Sequence, residues 1–184
     1  GTRHSFSAVA DRPGGDLVSL AALPSEILVD AAAMTVSVIG GTRYGELAAA
    51  LHTQGFALHN TGSLPHISVA GATATGTHGS GDANGILATA VVAFDVVGAD
   101  GTLQTVDRAD PALAAMAVGL GMFGVITRVV LEIQPTYQVR QDVYVGAPWD
   151  GVLEAFDEIM AGAYSVSLMG DPGAPLLGQI WQKS

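Results

Sequence analysis

The most constraining feature of this chain is a run of twenty residues, Gly62–Gly81, that contains no Asp, Glu, Lys or Arg. Most of its residues are Gly, Ala, Ser or Thr, so the run buries little apolar surface. Small residues let a backbone approach a ligand closely, and the hydroxyls and amides supply hydrogen bonds. Pro65, His66, Ile67 and Val69 interrupt the run with residues that pack, which favours a shaped loop over a flexible linker.

The charge pattern around this glycine-rich stretch limits the chemistry available to it. No Lys or Arg occurs from Tyr44 to Asp107. An anion bound here must therefore be held by backbone N–H groups and hydroxyls. Such nests of amides bind the pyrophosphate of dinucleotides, and we interpret the stretch as a candidate site of that kind. A flexible linker is the alternative interpretation.

Two segments carry a resemblance to a known family. The glycine-rich stretch contains Gly-Ser-Leu-Pro-His-Ile-Ser-Val-Ala-Gly and then Thr-Gly-Thr-His-Gly-Ser-Gly, and the chain opens with Gly-Thr-Arg-His-Ser-Phe. Together they resemble the FAD-binding half of the vanillyl-alcohol-oxidase type flavoproteins. The likeness is closest to the alditol (xylitol) oxidases and more distant to the sugar-lactone oxidases. It extends from Gly1 to about Pro135, and more faintly to Trp181.

The resemblance implies an α+β fold in two parts. A PCMH-type FAD-binding domain is expected over residues 1–135, and the beginning of an α+β substrate domain over residues 136–184. The turn signal Gln134-Pro135-Thr136 marks the expected boundary. Because the family has a strand–helix–strand unit before the Gly1 loop and most of its substrate domain beyond Ser184, the chain is expected to be a fragment.

FAD is the cofactor that the resemblance implies, attached covalently through His4 to the 8α-methyl group of the flavin. A neutral imidazole is a nucleophile and the isoalloxazine an electrophile, so such a bond is chemically reasonable. Ser63 is implied beside the isoalloxazine, where it would also contact substrate, and Ile126 beside the adenine. The implied cofactor-binding residues are Gly1, Thr2, Arg3, His4, Ser5, Ser63, Ser68, Gly71, Thr75, Gly76, Thr77, His78 and Ile126.

The activity that the resemblance implies is oxidation of the CH–OH group of a polyol, with O₂ as acceptor and H₂O₂ as product. The catalytic base and the polyol-binding residues would lie beyond Ser184, so no catalytic residue is assigned within the chain. Gly71 and Gly76 are expected to lack room for a side chain beside the cofactor, and Gly62 to leave a gap for O₂. A sugar-1,4-lactone oxidase or dehydrogenase and a non-catalytic flavin-binding module are the alternatives.

Composition and motifs exclude several other classes of protein. The net charge of −10 argues against nucleic-acid and anionic-membrane partners, and no apolar run approaches the ~20 residues of a membrane span. No secretory signal pattern opens the sequence, and a cytoplasmic location is expected. The five histidines lack metal-ligand spacing, so no metal site is predicted. Glu154, Asp157 and Glu158 are interpreted as a solvated helix face.

The segment Gly119–Gly124 satisfies the pattern G-x-G-x-x-G but is rejected as a nicotinamide-dinucleotide fingerprint. That fingerprint follows a strand and opens a helix, whereas this segment follows a predicted helix and opens a predicted strand. We interpret it as a helix stop and turn.

Hydrophobic periodicity and turn signals predict alternating strands and helices. The predicted strands are Asp16–Leu20, Ile27–Asp30, Thr35–Ile39, Ala88–Val97, Thr102–Val106, Gly124–Ile133 and Gln138–Val145. The predicted helices are Arg43–Gln54 with Thr42 as N-cap and Gly55 as C-cap, a short one from Asp110 to about Val118, and Pro148–Ala161.

Overall fold

Two runs that are rich in β-branched residues form the first strands, Ile27–Asp30 (β1) and Thr35–Ile39 (β2), with the predicted bounds. They pair antiparallel, and the turn between them is closed by Asp30, whose carboxylate accepts the N–H groups of Ala32 and Ala33 at 3.0 and 2.9 Å. The structure is a computed structural model that describes residues 2–11 and 13–184.

The chain folds as two units, the first of which comprises the described residues up to His78 together with Gly85–Thr136. Its main sheet also contains Val91–Val97 (β4), Leu103–Asp107 (β5) and Val125–Glu132 (β6). The strand order is β1-β2-β6-β4-β5, and every neighbouring pair is antiparallel. A second, small sheet pairs Phe56–Ala57 (β3) with Gln134–Pro135 (β7).

Three short helices complete the first unit: Tyr44–Thr53 (α1), Val69–Thr73 (α2) and Ala112–Met116 (α3). Leu47 and Leu51 stand one turn apart on α1 and are fully buried, as their spacing predicts. Each such leucine contributes about 1.5–3 kcal/mol by leaving water. They share one core with Val36, Val38, Val69, Phe94, Val129 and Leu131.

In the first unit, the structure differs from the predicted secondary structure where tertiary contacts compete with the local sequence pattern. The predicted strand Asp16–Leu20 is irregular, because no described strand pairs with it and an unpaired strand is unstable. Thr42 is not the N-cap of α1; that position belongs to Arg43, whose N–H donates to Glu46 Oε2 at 3.3 Å. The strand predicted from Ala88 begins at Val91 instead.

The late start of β4 has a local cause. Residues Leu87–Ala90 form a single 3₁₀ turn, in which the N–H and the hydroxyl of Thr89 both donate to the carbonyl of Ile86, at 2.9 and 2.7 Å. A threonine hydroxyl that bonds a nearby carbonyl offers the backbone an alternative to the strand ladder.

The second unit comprises Gly79–Asn84 and Tyr137–Ser184. Its three strands are Gln141–Pro148 (β8), Ser165–Met169 (β9) and Leu176–Lys183 (β10), in the antiparallel order β8-β10-β9. Val152, Val166, Leu177 and Ile180 form its own small core. The mixture of helices and antiparallel sheets in both units confirms the α+β class.

The single helix predicted over Pro148–Ala161 is two helices, Trp149–Glu154 (α4) and Phe156–Ala161 (α5). The break lies at Ala155, and it lets α4 pack against β8 while α5 packs against β9. Glu154, Asp157 and Glu158 are exposed, as predicted.

No helix within the described residues is long and apolar enough to cross a membrane. The expected cytoplasmic location stays a prediction, as does the assignment of residues 1–135 and 136–184 to cofactor and substrate domains.

Candidate functional site

Three segments of backbone meet at Gly40, where β2 ends. The N–H of Gly40 donates to the carbonyl of Thr127 on β6 at 2.9 Å, and its carbonyl accepts the N–H of Ala70 on α2 at 3.0 Å. A Cβ at this position would lie 2.5 Å from the carbonyl oxygen of Ile126 and 3.0 Å from the Cβ of Ala70. Only glycine permits this approach, which brings Ile126 beside the start of α2.

The first half of the glycine-rich stretch is bound by main-chain hydrogen bonds to the first residues of α1 and to the turn before it. The carbonyls of Pro65 and Ile67 accept the N–H groups of Gly45 and Tyr44 at 2.8 and 3.0 Å, and Val69 donates to the carbonyl of Thr42 at 2.8 Å. Tyr44 is buried beneath this crossing, and burial raises the pKa of its phenol, which therefore stays protonated. The stretch is a shaped segment and not a flexible linker.

Part of the stretch is helical, which the sequence reading missed. Ser68 stands at the N-cap position of α2, is largely buried, and makes no capping bond with its side chain. Gly71 lies on the exposed side of the same helix. A Cβ on Gly71 would lie 2.8 Å from Ser68 Oγ, so the protein itself restricts side chains there.

The residues after α2 form a polar edge. Thr75 Oγ1 donates to the carbonyl of Gly71 at 3.0 Å and lies 3.1 Å from Thr77 Oγ1. Gly76, between the two threonines, has φ +66°, a conformation that L-residues rarely adopt. A Cβ on Gly76 would lie 3.5 Å from a methyl group of Val118.

The turn that contains Val118 is bonded to the end of α2. Val118 and Leu120 donate their N–H groups to the carbonyls of Thr73 and Ala74, each at 3.0 Å. Both have left-handed φ values, of 60° and 53°, although neither is glycine. Gly119–Gly124 thus lies between α3 and β6, which confirms the interpretation as a helix stop and turn.

Gly62 lies beside the same polar edge. A Cβ built on it would be 3.6 Å from Thr77 Cγ2 and 3.8 Å from the carbonyl oxygen of His78. Ser63 follows directly and is exposed. The structure therefore brings Ser63, Thr77 and His78 to one region of the first unit, although 14 positions separate the first two in sequence.

The N-terminal loop approaches the stretch through aromatic rings. The imidazole of His4 packs edge to face on that of His66, with the centroids 5.3 Å apart, and on the ring of Phe6 at 5.4 Å. Arg3 has φ 55° and pairs with Asp11 at 3.4 Å on the surface. Thr2 is half-buried, Ser5 is exposed, and Gly1 lies outside the described residues.

Two residues near the site were missed by sequence reasoning. His66 lies in a turn of the glycine-rich stretch, and its ring contacts that of the predicted attachment point His4. Arg43 pairs through its backbone with Ser68 in an isolated β-bridge, so a cation stands at the border of a region that otherwise lacks one. The one feature of the sequence that pointed to Arg43 is its position directly before Tyr44–Asp107, the range without Lys or Arg.

A separate cavity of about 280 Å³ lies in the first unit near the opposite end of the central strands, lined by His59, Thr89, Glu132 and Gln134 among others. The ion pair with Arg108 lowers the pKa of Glu132, and burial is the main cause that lowers the pKa of His59. Among residues 2–11 and 13–184 no group of three or more His, Cys, Asp or Glu side chains could hold a metal ion.

A match to a known protein family distinguishes between the interpretations of the glycine-rich stretch as a dinucleotide site and as a linker. The FAD binding domain family matches residues 1–107, which is more than half of the chain. The chain belongs to the FAD-binding domain family. The predicted PCMH-type domain and its cofactor, FAD, are thereby confirmed at the level of the family, whereas the individual cofactor contacts stay predictions.

Relatives of this FAD-binding domain are oxidoreductases. An alditol oxidase from a Streptomyces species is 44% identical over 181 residues, which cover 98% of this chain and 43% of that protein. An L-gulono-1,4-lactone dehydrogenase from Mycobacterium tuberculosis and an L-gulonolactone oxidase from Mus musculus are each 33% identical, over 77% of this chain and 32% of their own length. The chain thus spans less than half the length of these relatives.

A solved structure shows the same fold. A mutant of the cholesterol oxidase from Brevibacterium sterolicum superposes with a TM-score of 0.78, at 20% sequence identity, and covers 87% of this chain and 34% of that one. At this identity the likeness concerns the fold of the FAD-binding domain alone.

The residues of the site fit the cofactor of the family. The exposed hydroxyl of Ser63 and the exposed glycine at Gly71 offer a hydrogen bond and close backbone approach to an anion. Because Tyr44–Asp107 contains no Lys or Arg, the groups that suit a pyrophosphate are these neutral donors together with Arg3 and Arg43, which lie outside that range.

Proposed function

We propose that the complete protein is an FAD-dependent oxidoreductase that oxidises the CH–OH group of a polyol, with O₂ as electron acceptor. In the overall reaction the CH–OH group loses two electrons and two protons and becomes a carbonyl, while O₂ gains them and becomes H₂O₂. The observation that carries this proposal is the 44% identity to an alditol oxidase over 98% of the chain.

Within this chain the proposed task is to hold and orient the cofactor. Thr2, Arg3, His4 and Ser5 would bind one side of it, with His4 as the covalent attachment. The other contacts with the cofactor would be made by Ser63, Ser68, Gly71, Thr75, Gly76, Thr77, His78 and Ile126. Bound FAD would supply the acceptor for the hydride of the substrate carbon.

A second candidate reaction is oxidation of a sugar-1,4-lactone, with O₂ or another acceptor. It is supported by the 33% identity to L-gulonolactone oxidase and to L-gulono-1,4-lactone dehydrogenase. Both reactions would use the same cofactor, so the choice between them would rest on the substrate-binding residues, most of which we expect beyond Ser184.

The test is substrate profiling of the full-length protein. Xylitol, sorbitol and L-gulono-1,4-lactone are compared under air, with H₂O₂ formation and flavin bleaching as readouts. We expect turnover with the polyols and H₂O₂ as product. Turnover of the lactone alone would establish the second candidate, and absence of flavin reduction by all three would favour a non-catalytic flavin-binding module.

A further inference from the structure

The last residues of the glycine-rich stretch, Gly79–Gly81, belong to the second unit and not to the first. Residues up to His78 belong to the first unit, Gly79–Asn84 belong to the second unit, and the chain returns to the first unit at Gly85. The base of this excursion is closed within the first unit, because the N–H of Leu87 donates to the carbonyl of Thr77 at 2.8 Å. Residues 78–86 therefore form a loop with a fixed base, as in an Ω-loop.

The tip of the loop is held in the second unit by Asn84. Its side-chain Nδ2 donates to the carbonyl of Ser80 at 3.0 Å and to the carbonyl of Tyr164 at 3.1 Å. One amide group thus closes the tip on itself and ties it to the residue that precedes β9. Gly81 lies in the same turn with φ +115°, and a Cβ there would be 2.2 Å from the carbonyl oxygen of Tyr164.

Three hydroxyls reinforce this attachment. Ser80 Oγ is hydrogen-bonded to Ser165 Oγ, and Ser167 Oγ donates to Ser80 Oγ at 3.4 Å. Ser165 is buried although it is polar. The segment Gly79–Asn84 has the sequence Gly-Ser-Gly-Asp-Ala-Asn, so polar contacts, and not apolar burial, hold it in place.

We propose that Asn84, assisted by Ser80, is a positioning residue that fixes the flavin-binding loop to strand β9 of the second unit. The inference rests on the proposed function, since it takes Thr77 and His78 as cofactor contacts. His78 is one residue from the anchored tip and Thr77 is the base of the loop. Because the chain is continuous from His78 to the anchored tip, Asn84 restricts the backbone conformations open to both residues.

The experiment compares Asn84→Ala with Asp82→Ala in the full-length, flavin-loaded protein. Asp82 lies in the same segment and is exposed, and its side chain has no hydrogen bond or ion pair with the described residues. Three quantities are measured: the visible absorption spectrum and reduction potential of the bound flavin without substrate, and kcat per bound flavin with a polyol.

We expect Asn84→Ala to shift the flavin spectrum and potential and to lower kcat per flavin on the order of tenfold or more, because small displacements at a reacting centre are costly. Asp82→Ala should match the parent. A purely structural role would lower flavin occupancy or yield, but leave the spectrum and kcat per bound flavin unchanged, and that result would overturn the proposal.

If Asn84→Ala does not fold, Ser80→Ala provides the same comparison, because it removes only one hydroxyl from the tip. A shifted flavin spectrum in that variant supports the proposal, and a spectrum identical to the parent overturns it. The spectral comparison needs no substrate. Failure of the proposed polyol oxidation would therefore appear separately, as a parent protein whose flavin is not reduced by polyols.

Discussion

The imidazole rings of His4 and His66 lie edge to face with their centroids 5.3 Å apart. The contact joins the N-terminal loop to the glycine-rich stretch, although 62 positions separate the two residues in sequence. One of the rings is the predicted attachment point of FAD. The other restricts how the first can turn, because an edge-to-face aromatic pair has a preferred geometry.

This contact predicts different results for two histidine variants. His4→Ala should abolish covalent flavin, and His66→Ala should lower the covalently bound fraction several-fold while leaving the attachment chemistry intact. Acid denaturation of the full-length protein, followed by absorbance of the precipitated polypeptide, measures the fraction. His52→Ala, at an exposed histidine of α1, is the matched control. Covalent flavin retained by His4→Ala would disprove the assignment.

The close approach at Gly40 predicts a large difference between two adjacent glycines. Gly40→Ala should lower the free energy of unfolding by about 1–3 kcal/mol, as overpacking does, because its Cβ would lie 2.5 Å from the Ile126 carbonyl oxygen. Gly41→Ala should have little effect, since its nearest neighbour is Leu20 Cβ at 3.5 Å. Urea denaturation of both variants is the measurement, and equal stabilities would contradict the predicted crowding at Gly40.

A side chain at Gly76 should cause a loss of bound cofactor that backbone strain alone would not cause. Gly76→Val should abolish flavin binding, because a branched side chain at φ +66° would be strained and would project from the polar edge beside Val118. Gly55→Val is the matched control: φ is +83° and no atom lies within 4 Å of its Cβ. Both variants carry similar strain, so normal flavin content in Gly76→Val would show that the cofactor does not approach this residue.

The surroundings of Gly62 allow a test of the prediction that this residue leaves a gap through which O₂ reaches the reduced flavin. A Cβ there would make only ordinary contacts, 3.6 Å from Thr77 Cγ2, so the chain should still fold with a side chain at this position. Gly62→Val should slow reoxidation of the reduced full-length protein by O₂ at least several-fold, with Gly62→Ala intermediate, because each added methyl group narrows a packed gap. Stopped-flow absorbance measures the rate. Equal, fast rates in all three proteins would remove Gly62 from oxygen access.

His59 predicts a pH dependence of stability. Burial lowers its pKa in the folded state, and this effect exceeds the opposing influences of Glu132 and of the backbone at Gly85. The unfolded chain, with a histidine pKa of about 6.5, therefore binds more protons than the folded chain just below that pH. The stability contribution is present above the unfolded pKa and is lost as pH falls through the folded pKa.

The matched comparison is between His59→Gln and His52→Gln. His59→Gln should reduce the fall in the free energy of unfolding between about pH 7 and pH 5. His52→Gln removes an exposed imidazole from the same unit and controls for the loss of a histidine as such. Denaturant titrations at several pH values give the slopes, and an unchanged slope in His59→Gln would contradict the prediction.

Local sequence pattern predicted the elements whose buried residues recur at a regular spacing. β1 and β2 have the predicted bounds, α1 is one residue shorter at each end, and the hairpin from β4 to β5 turns at Gly101, whose φ is +79°. In each case the alternation or the turn residue acts over a few positions. The elements were therefore predictable without any distant contact.

Elements that depend on a distant partner were not predictable in this way. Asp16–Leu20 has the composition of a strand but no described strand beside it, and β3 is a strand only because Phe56 pairs with Pro135. The helix predicted over Pro148–Ala161 breaks at Ala155 because its halves pack on different strands.

The sequence by itself indicated a surface suited to a pyrophosphate, through its long run of small, uncharged residues, and the resemblance of that run and of the Gly-Thr-Arg-His-Ser motif to a flavoprotein family implied FAD. The tertiary structure alone decided which residues meet there. Gly40 has to lie against the Ile126 carbonyl, His66 has to reach His4, and Asn84 has to bond Tyr164 in the second unit. These contacts join residues far apart in sequence, and their geometry depends on the packing of whole elements, which no local pattern records.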